Sequence, residues 1–201
     1  VKDDLLLASY DGVFQFNPET GNSTLLLNLF SHYLKIDSEG LLWIGVEGHG
    51  VYAYHFDTKE LVNYRYDPEK ANCLSDNMIT CIAEDRHRNL WFSTISSGID
   101  VYYRETGKFE NFNSKKNGLG SDCIYAVTES LNGKLLLTTN QGFTLFDYYT
   151  KLFYNYDNEN GFPFTTLNEN SLYQFWEVLK EWFHSMKKVS IFLLNLMISF
   201  R

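Results

Sequence analysis

The sequence has little that would mark a catalytic or metal centre. Its three cysteines, Cys73, Cys81 and Cys123, form no C-x-x-C pair and have no histidine at ligand spacing, so thiolate metal sites and dithiol chemistry are excluded. They read as small buried or half-buried apolar side chains. The histidines, His32, His49, His55, His87 and His184, show neither H-x-H nor H-x-x-x-H spacing. No G-x-S-x-G, phosphate-binding loop or dinucleotide fingerprint occurs, and Gly45-Val46-Glu47-Gly48-His49-Gly50 joins strand to strand rather than strand to helix. The expectation is a chain with no cofactor, no metal and no catalytic residues.

Basic clusters are also missing. The densest are the pairs Lys115-Lys116 and Lys187-Lys188, set against a net charge of −8 from 25 acidic and 17 basic residues. Such a surface does not gather phosphates, which excludes nucleic acid and favours a neutral or cationic partner. Long apolar runs are absent except for Val189 to Phe200, which is interrupted by Ser190, Asn195 and Ser199 and falls short of the roughly 20 residues a membrane span needs. Val1-Lys2-Asp3-Asp4 lacks the pattern of a signal peptide, and the missing initiator Met is read as the mark of an excised or processed segment.

What is present is aromatic and periodic. Hydrophobic residues make up 44% of the chain, enough for a real core, and the 17% aromatic share suits pleated, half-buried surfaces. Leu42-Trp43-Ile44-Gly45 followed by Gly50-Val51-Tyr52-Ala53-Tyr54 recurs 48 positions later as Leu90-Trp91-Phe92-Ser93 followed by Gly98-Ile99-Asp100-Val101-Tyr102. A third copy has Leu136 in the Trp position and Gly142 opening the next strand, and an earlier one runs Leu5 to Ser9 and then Gly12 to Phe16. Leu74 to Asp85 matches Leu119 to Ser130 at an offset of 45.

Each unit therefore holds four short strands with period-2 alternation, separated by turns rich in Asp, Gly, Asn and Lys. One such sheet cannot bury both faces alone, so the copies must stack, and radial stacking gives a β-propeller. The expected fold is all-β, a propeller fragment of four-stranded antiparallel blades. Three are nearly complete and two partial, at about 1–30, 31–66, 77–113, 122–157 and a partial 168–173. Trp43, Trp91 and Leu136 are expected in the core between sheets. Gly50, Gly98 and Gly142 mark hairpins that need positive φ. Gly40 and Gly133 serve the preceding turn; Arg88 replaces them in the middle copy, where Asn89 is expected to take the left-handed position. Glu84, Asp85 and Glu129 recur at a repeat position and read as turn or strand-end residues.

On these residues the sequence resembles the two-component regulator propeller repeat. Glu84-Asp85, Asn89-Leu90-Trp91-Phe92-Ser93-Thr94 and Gly98-Ile99 carry the resemblance most closely; Ile36-Asp37, Gly40-Leu41-Leu42-Trp43-Ile44-Gly45 and Gly50-Val51 follow. It covers about residues 5 to 173. It implies the periplasmic sensor region of a hybrid two-component histidine kinase, anchored in the inner membrane and responsive to glycan breakdown products. The implied partners are an oligosaccharide or other small ligand and further copies of the receptor, with chemistry left to kinase modules not visible here. Loops on one propeller face commonly bind ligands, which singles out Glu47 and His49 with their counterparts Ser96 and Ser97. A propeller enzyme resembling the streptogramin lyases and a protein-interaction scaffold are the alternatives.

From Gln174 the strand pattern stops. Apolar residues at 175, 179, 182, 186, 189 and 193 follow helical spacing, so 174–201 forms an atypical tail. It reads as a capping helix, a partner or membrane-surface helix, or the product of an altered reading frame. A chain holding only part of a ring is expected to be marginally stable in isolation.

Overall fold

The computed structural model describes residues 4–130 and 133–159. The partial copy at 168–173 and the tail at 174–201 lie outside them. The described residues form four antiparallel sheets. The first is three-stranded, β1 (Leu5–Ser9), β2 (Gly12–Phe16) and β3 (Ser23–Leu27). The second holds β4 (Ser31–Ile36), β5 (Leu42–Val46), β6 (Gly50–Tyr54) and β7 (Leu61–Tyr64). The third holds β8 (Ile79–Glu84), β9 (Leu90–Thr94), β10 (Ile99–Tyr103) and β11 (Lys108–Phe112). A single-turn helix, α1 (Ser114–Asn117), precedes the fourth, which holds β12 (Ile124–Glu129), β13 (Lys134–Thr139), β14 (Gly142–Asp147) and β15 (Leu152–Tyr156).

In every four-stranded sheet the strands lie in sequence order, and the first strands β4, β8 and β12 are neighbours across the sheet boundaries. This is the blade arrangement of a β-propeller, with the first strands innermost. The all-β propeller expectation stands, and among the described residues the first blade has three strands, β1, β2 and β3.

The period-2 alternation explains how blades stack. Leu42, Ile44 and Tyr54 face the first blade and bury against Val13, Leu6, Leu26 and Leu27. Their neighbours Trp43, Val51 and Ala53 point the other way and meet Ile82, Leu90 and Phe92 of the third blade. Trp91, Ile99 and Val101 in turn meet Leu135, Leu137 and Phe146 of the fourth. Each Trp thus sits between sheets, Trp43 5.6 Å from Phe92 and Trp91 5.6 Å from Phe146, ring centroid to centroid. Leu136 is also buried, on the opposite face of its sheet from Leu135 and Leu137.

The Trp position is tied to a turn six residues earlier. Asp37 Oδ1 accepts the N–H groups of Glu39 and Leu41, and its Oδ2 accepts the Trp43 indole N–H at 2.7 Å. Asp85 repeats this with His87, Asn89 and, at 2.9 Å, Trp91. Both carboxylates are buried. Burial works against the charge of Asp37, but the bonds from Trp43, Arg104 and Leu41 outweigh it and hold its carboxyl below the usual carboxylate range. In the fourth blade Ser130 replaces the Asp and Leu136 the Trp. Ser130 Oγ donates to the Lys134 carbonyl and accepts its N–H, closing the turn without an indole partner.

The same turns corrected one expectation. In the third blade the left-handed residue is Arg88, at φ 64°, and not Asn89. Asn89 instead donates through its side chain to Asp85 Oδ2 at 3.0 Å. A residue committed to that bond has its backbone placed by it, so the positive φ falls one position earlier, where Gly40 and Gly133 also stand. Gly50 and Gly98 show what their own positions demand: φ is 76° and 80°, and an added Cβ would lie 2.4 Å from the Tyr64 carbonyl oxygen and 2.2 Å from that of Phe112.

Carboxylates also bind blade to blade. Ser38 donates its N–H and hydroxyl to Glu84 of the next blade at 2.8 and 2.6 Å, and Arg86 donates its N–H and Nε to Glu129 at 2.7 and 2.6 Å. Arg104 reaches back from the third blade to Asp37 and Glu39 of the second, at 2.7 and 2.9 Å.

Because Asp and Trp act as one unit, their substitutions must couple. Asp85→Ser orphans the buried Trp91 N–H, a penalty of about 1–3 kcal/mol. Trp91→Leu shrinks the core. The double variant reproduces the Ser130 and Leu136 combination, and in urea melts its cost is expected to fall below the sum of the singles by roughly 0.5–3 kcal/mol. Strict additivity would show that the bond is incidental.

Candidate functional site

At one end of each blade lie the turn between its second and third strands and the connection leading in from, or on to, the neighbouring blade. The predicted residues are on these turns: Glu47 and His49 between β5 and β6, and Ser96 and Ser97 between β9 and β10. The structure places both pairs at the same end, on adjacent blades, but holds each by its own contacts. Glu47 meets His32 of β4 (Oε2 to Nε2 3.2 Å), and the His49 ring bonds the Glu47 carbonyl at 2.8 Å. Ser96 Oγ donates to Asp76 Oδ2 at 2.5 Å, Ser97 Oγ approaches the same oxygen at 3.4 Å, and the Ser97 N–H donates to Thr94 Oγ1. Glu47, His49 and Ser96 are exposed, and Ser97 is half-buried.

The inner strands contribute residues that sequence reasoning missed. β4, β8 and β12 each carry a register shift near their start, where His32, Thr80 and Tyr125 stand as the extra residue against the neighbouring strand. A bulge re-aims the side chain it carries. In the second blade the re-aimed residue is His32, which reaches Glu47. Phe30, just ahead of β4, packs edge-on against His32 at 4.7 Å, and Tyr10, from the turn between β1 and β2, stacks on Phe30 at 4.6 Å and 18°. Tyr10 is 82% exposed. The result is an aromatic platform ending in an imidazole and a carboxylate, assembled from two blades. Its only sequence signal was an aromatic residue in a turn that otherwise reads as polar.

Beneath the Ser96–Ser97 turn lies a buried carboxyl. Asp100 on β10 is fully enclosed; its Oδ2 accepts the N–H and hydroxyl of Ser75, both at 2.9 Å, and its Oδ1 accepts Asn111 Nδ2 at 3.0 Å. Asn111 Nδ2 also bonds the Ser97 carbonyl at 2.8 Å, linking this group to the exposed turn. Burial dominates over these donors, helped by the nearby charge of Asp76, and pushes the Asp100 carboxyl up to about 6.

Of the other histidines, His55 and His87 lie in turns at the opposite end, His87 stacked on Tyr148 at 5.3 Å, while His184 is outside the described residues. Among the described residues no group of three or more His, Cys, Asp or Glu side chains could hold a metal ion, and no helix is long and apolar enough to cross a membrane.

Blades of this construction, stacked through alternating Trp and Leu faces, define a repeat-built propeller. Comparison gives the kind: a sequence model described as Two component regulator propeller matches residues 73–96, which include Asp85 and Trp91. Residues 73–96 therefore match one copy of the two-component regulator propeller repeat. It is 30% identical over 191 residues to Histidine kinase P4 of Formosa agariphila, an alignment covering 72% of this chain and 14% of that protein. The extracellular domain of a hybrid two component system from B. thetaiotaomicron superposes with a TM-score of 0.66 at 22% identity, over 77% of this chain and 23% of that one. A catalytically inactive virginiamycin B lyase from Staphylococcus aureus shares the fold at a TM-score of 0.57 and 13% identity, over 77% of this chain and 52% of the lyase. The chain therefore spans a small part of the histidine kinase and of the extracellular domain it matches.

The raised Asp100 pKa has a definite sign. The folded protein prefers the neutral acid, so this group's stabilising contribution is complete below the ordinary carboxylate value of 3.8 and is lost as pH rises towards about 6. A carbon-detected NMR titration is expected to give Asp100 a midpoint near 6, with Asp100→Asn removing that part of the stability slope. A midpoint at or below 3.8 would show that the Ser75 and Asn111 donors dominate instead.

Proposed function

We propose that this chain is a ligand-sensing segment of the extracytoplasmic sensor region of a hybrid two-component histidine kinase, and that its ligand is a glycan breakdown product. The observation that carries the reading is the Tyr10–Phe30 stack beside His32 and Glu47. A sugar presents a C–H face that lies on an exposed aromatic ring and hydroxyls that need acceptors and donors at its edge. Tyr10 supplies the ring, and Glu47, His49, Ser96 and Ser97 supply the edge. The net charge of −8 favours a neutral oligosaccharide over an acidic one.

In this reading the segment does no chemistry. A ligand that touches turns of neighbouring blades binds one blade geometry better than another and shifts that equilibrium, which the periplasmic region passes to the self-associated receptor in the inner membrane. The repeat kind and the likeness to a histidine kinase support this reading. The fold shared with a virginiamycin B lyase does not favour catalysis, because the histidines of the described residues do not converge: His32 and His49 lie at one end, His55 and His87 at the other.

Calorimetric titration of the protein with a panel of neutral oligosaccharides tests this. At least one is expected to bind, with Tyr10→Ala and Glu47→Gln each weakening it about tenfold or more, a loss of about 1.4 kcal/mol. His55→Ala, at the far end, is expected to leave affinity unchanged. Equal affinity in all three variants would displace the site from this face, and recovery of a cleaved ligand would assign the protein to the enzymes.

A further inference from the structure

The second and third blades staple the turn between their second and third strands from an asparagine on the last strand. Asn63 Nδ2 donates to the carbonyls of His49 and Val51 at 3.0 and 3.3 Å, and Asn111 Nδ2 to those of Ser97 and Ile99 at 2.8 and 3.4 Å. What differs is the residue paired with the asparagine. It is Tyr52 in the second blade, Thr144 opposite Asn155 in the fourth, and the buried Asp100 in the third. Asp100 Oδ1 and Ser75 Oγ, both 3.0 Å from Asn111 Nδ2, bring the acceptors around that nitrogen to four. An amide nitrogen has two hydrogens to give. The Ser97 carbonyl therefore competes with a carboxyl group for its staple, and the His49 carbonyl does not.

Ionisation of Asp100 acts on the turn in two ways of the same sign. A hydrogen bond to a carboxylate is roughly twice as strong as one between neutral groups, so ionised Asp100 draws Asn111 away from Ser97. It also repels Asp76, whose Oδ2 accepts the hydroxyls of Ser96 and Ser97 at 2.5 and 3.4 Å. With its proton on, the acid donates to Ser75 Oγ, 2.9 Å away, the half-buried Ser75 hydroxyl turns to solvent, and Asn111 is left to Ser97. The other neighbours of Asp100 are Phe92, paired with it from β9, and Leu74, Val51 and Ala53, packed on the same face as Phe92. Asp122, whose carbonyl accepts the Gly98 N–H, turns its carboxylate to Ser114.

We propose that Asp100, Ser75 and Asn111 form a proton-operated latch on the Ser96–Ser97 turn, fastened while Asp100 carries its proton and released when the proton leaves. The Asp100 carboxyl, pushed up to about 6, sets the pH at which the latch works. Control of a ligand by this turn rests on the function proposed above for the same face: a fastened turn holds the ligand more firmly, and by reciprocity binding draws in a proton.

Backbone amide NMR relaxation of the whole chain tests the latch without a ligand. The order parameters of Ser96 and Ser97 are expected near the rigid value of about 0.85 below the Asp100 midpoint and to fall towards about 0.6 above it. Asp100→Asn, neutral at every pH, is expected to keep the turn ordered throughout, and Asp76→Asn, which removes the repulsion, to move the transition to lower pH. A turn equally ordered on both sides of the midpoint would overturn the latch. So would a transition that persists in Asp100→Asn, which would belong to His32 and His49 of the neighbouring blade, or one that Asp76→Asn leaves in place. Any oligosaccharide that binds in calorimetry is expected to do so about fivefold more tightly below the midpoint. A turn that titrates while that affinity stays constant supports the latch and takes the ligand off this turn.

Discussion

The structure depends on one constraint: a four-stranded antiparallel sheet with large apolar side chains on both faces has to be covered on both. Period-2 alternation assigns Leu42 and Ile44 to one neighbour and Trp43 to the other, so no blade is complete alone. Full burial of a side chain of this size is worth about 1.5–3 kcal/mol, and each interface collects several. The turns, the glycines and the carboxylate bridges serve to hold neighbouring sheets at the angle where those faces meet.

Polar groups occupy the interfaces only where they are satisfied. Asp37 and Asp85 are buried carboxylates, each with four donors that include an indole, and the place where the indole is lost, Leu136, is the place where the carboxylate has become Ser130. The blade-to-blade bonds at Glu84 and Glu129 fall at the same offset in consecutive repeats. Repetition of a side chain here reports repetition of a hydrogen bond, which is why acids that could suggest paired carboxylate chemistry serve structure. The candidate binding face departs from the repeat: Tyr10, Phe30 and His32 have no counterparts of the same type in the next two blades, and variation on a repeated frame is where specificity can reside.

Most of the fold was legible because its signals are local and repeated. Strand alternation, the glycines at 50, 98 and 142, and the Trp positions each recur in register, and four misreadings in step would be needed to lose them. The site was much less legible. Glu47, His49, Ser96 and Ser97 were readable as turn residues, but what each touches depends on bulges at His32, Thr80 and Tyr125, and a bulge inserts one residue without disturbing the visible alternation enough to announce itself. The Asp–Trp bond was invisible for another reason: a strand-end acid and a core aromatic six residues apart each have a sufficient explanation alone. Arg88 was misassigned because the side chain of Asn89, engaged by Asp85, removes the residue that intrinsic preference would place at positive φ.

If stacked interfaces rather than single sheets are the stable unit, damage to one interface must be felt on both its sides. Native-state hydrogen exchange of Trp91→Ala tests this most directly, since Trp91 belongs to β9 but packs on Phe146 of the fourth blade. A truncation of this size in a core costs about 3–5 kcal/mol. Amide protection is predicted to fall in both Leu90–Thr94 and Lys134–Thr139, by similar factors, while Leu42–Val46 one interface away loses less. Loss confined to Leu90–Thr94, with the fourth blade untouched, would contradict the account and make each sheet its own folding unit.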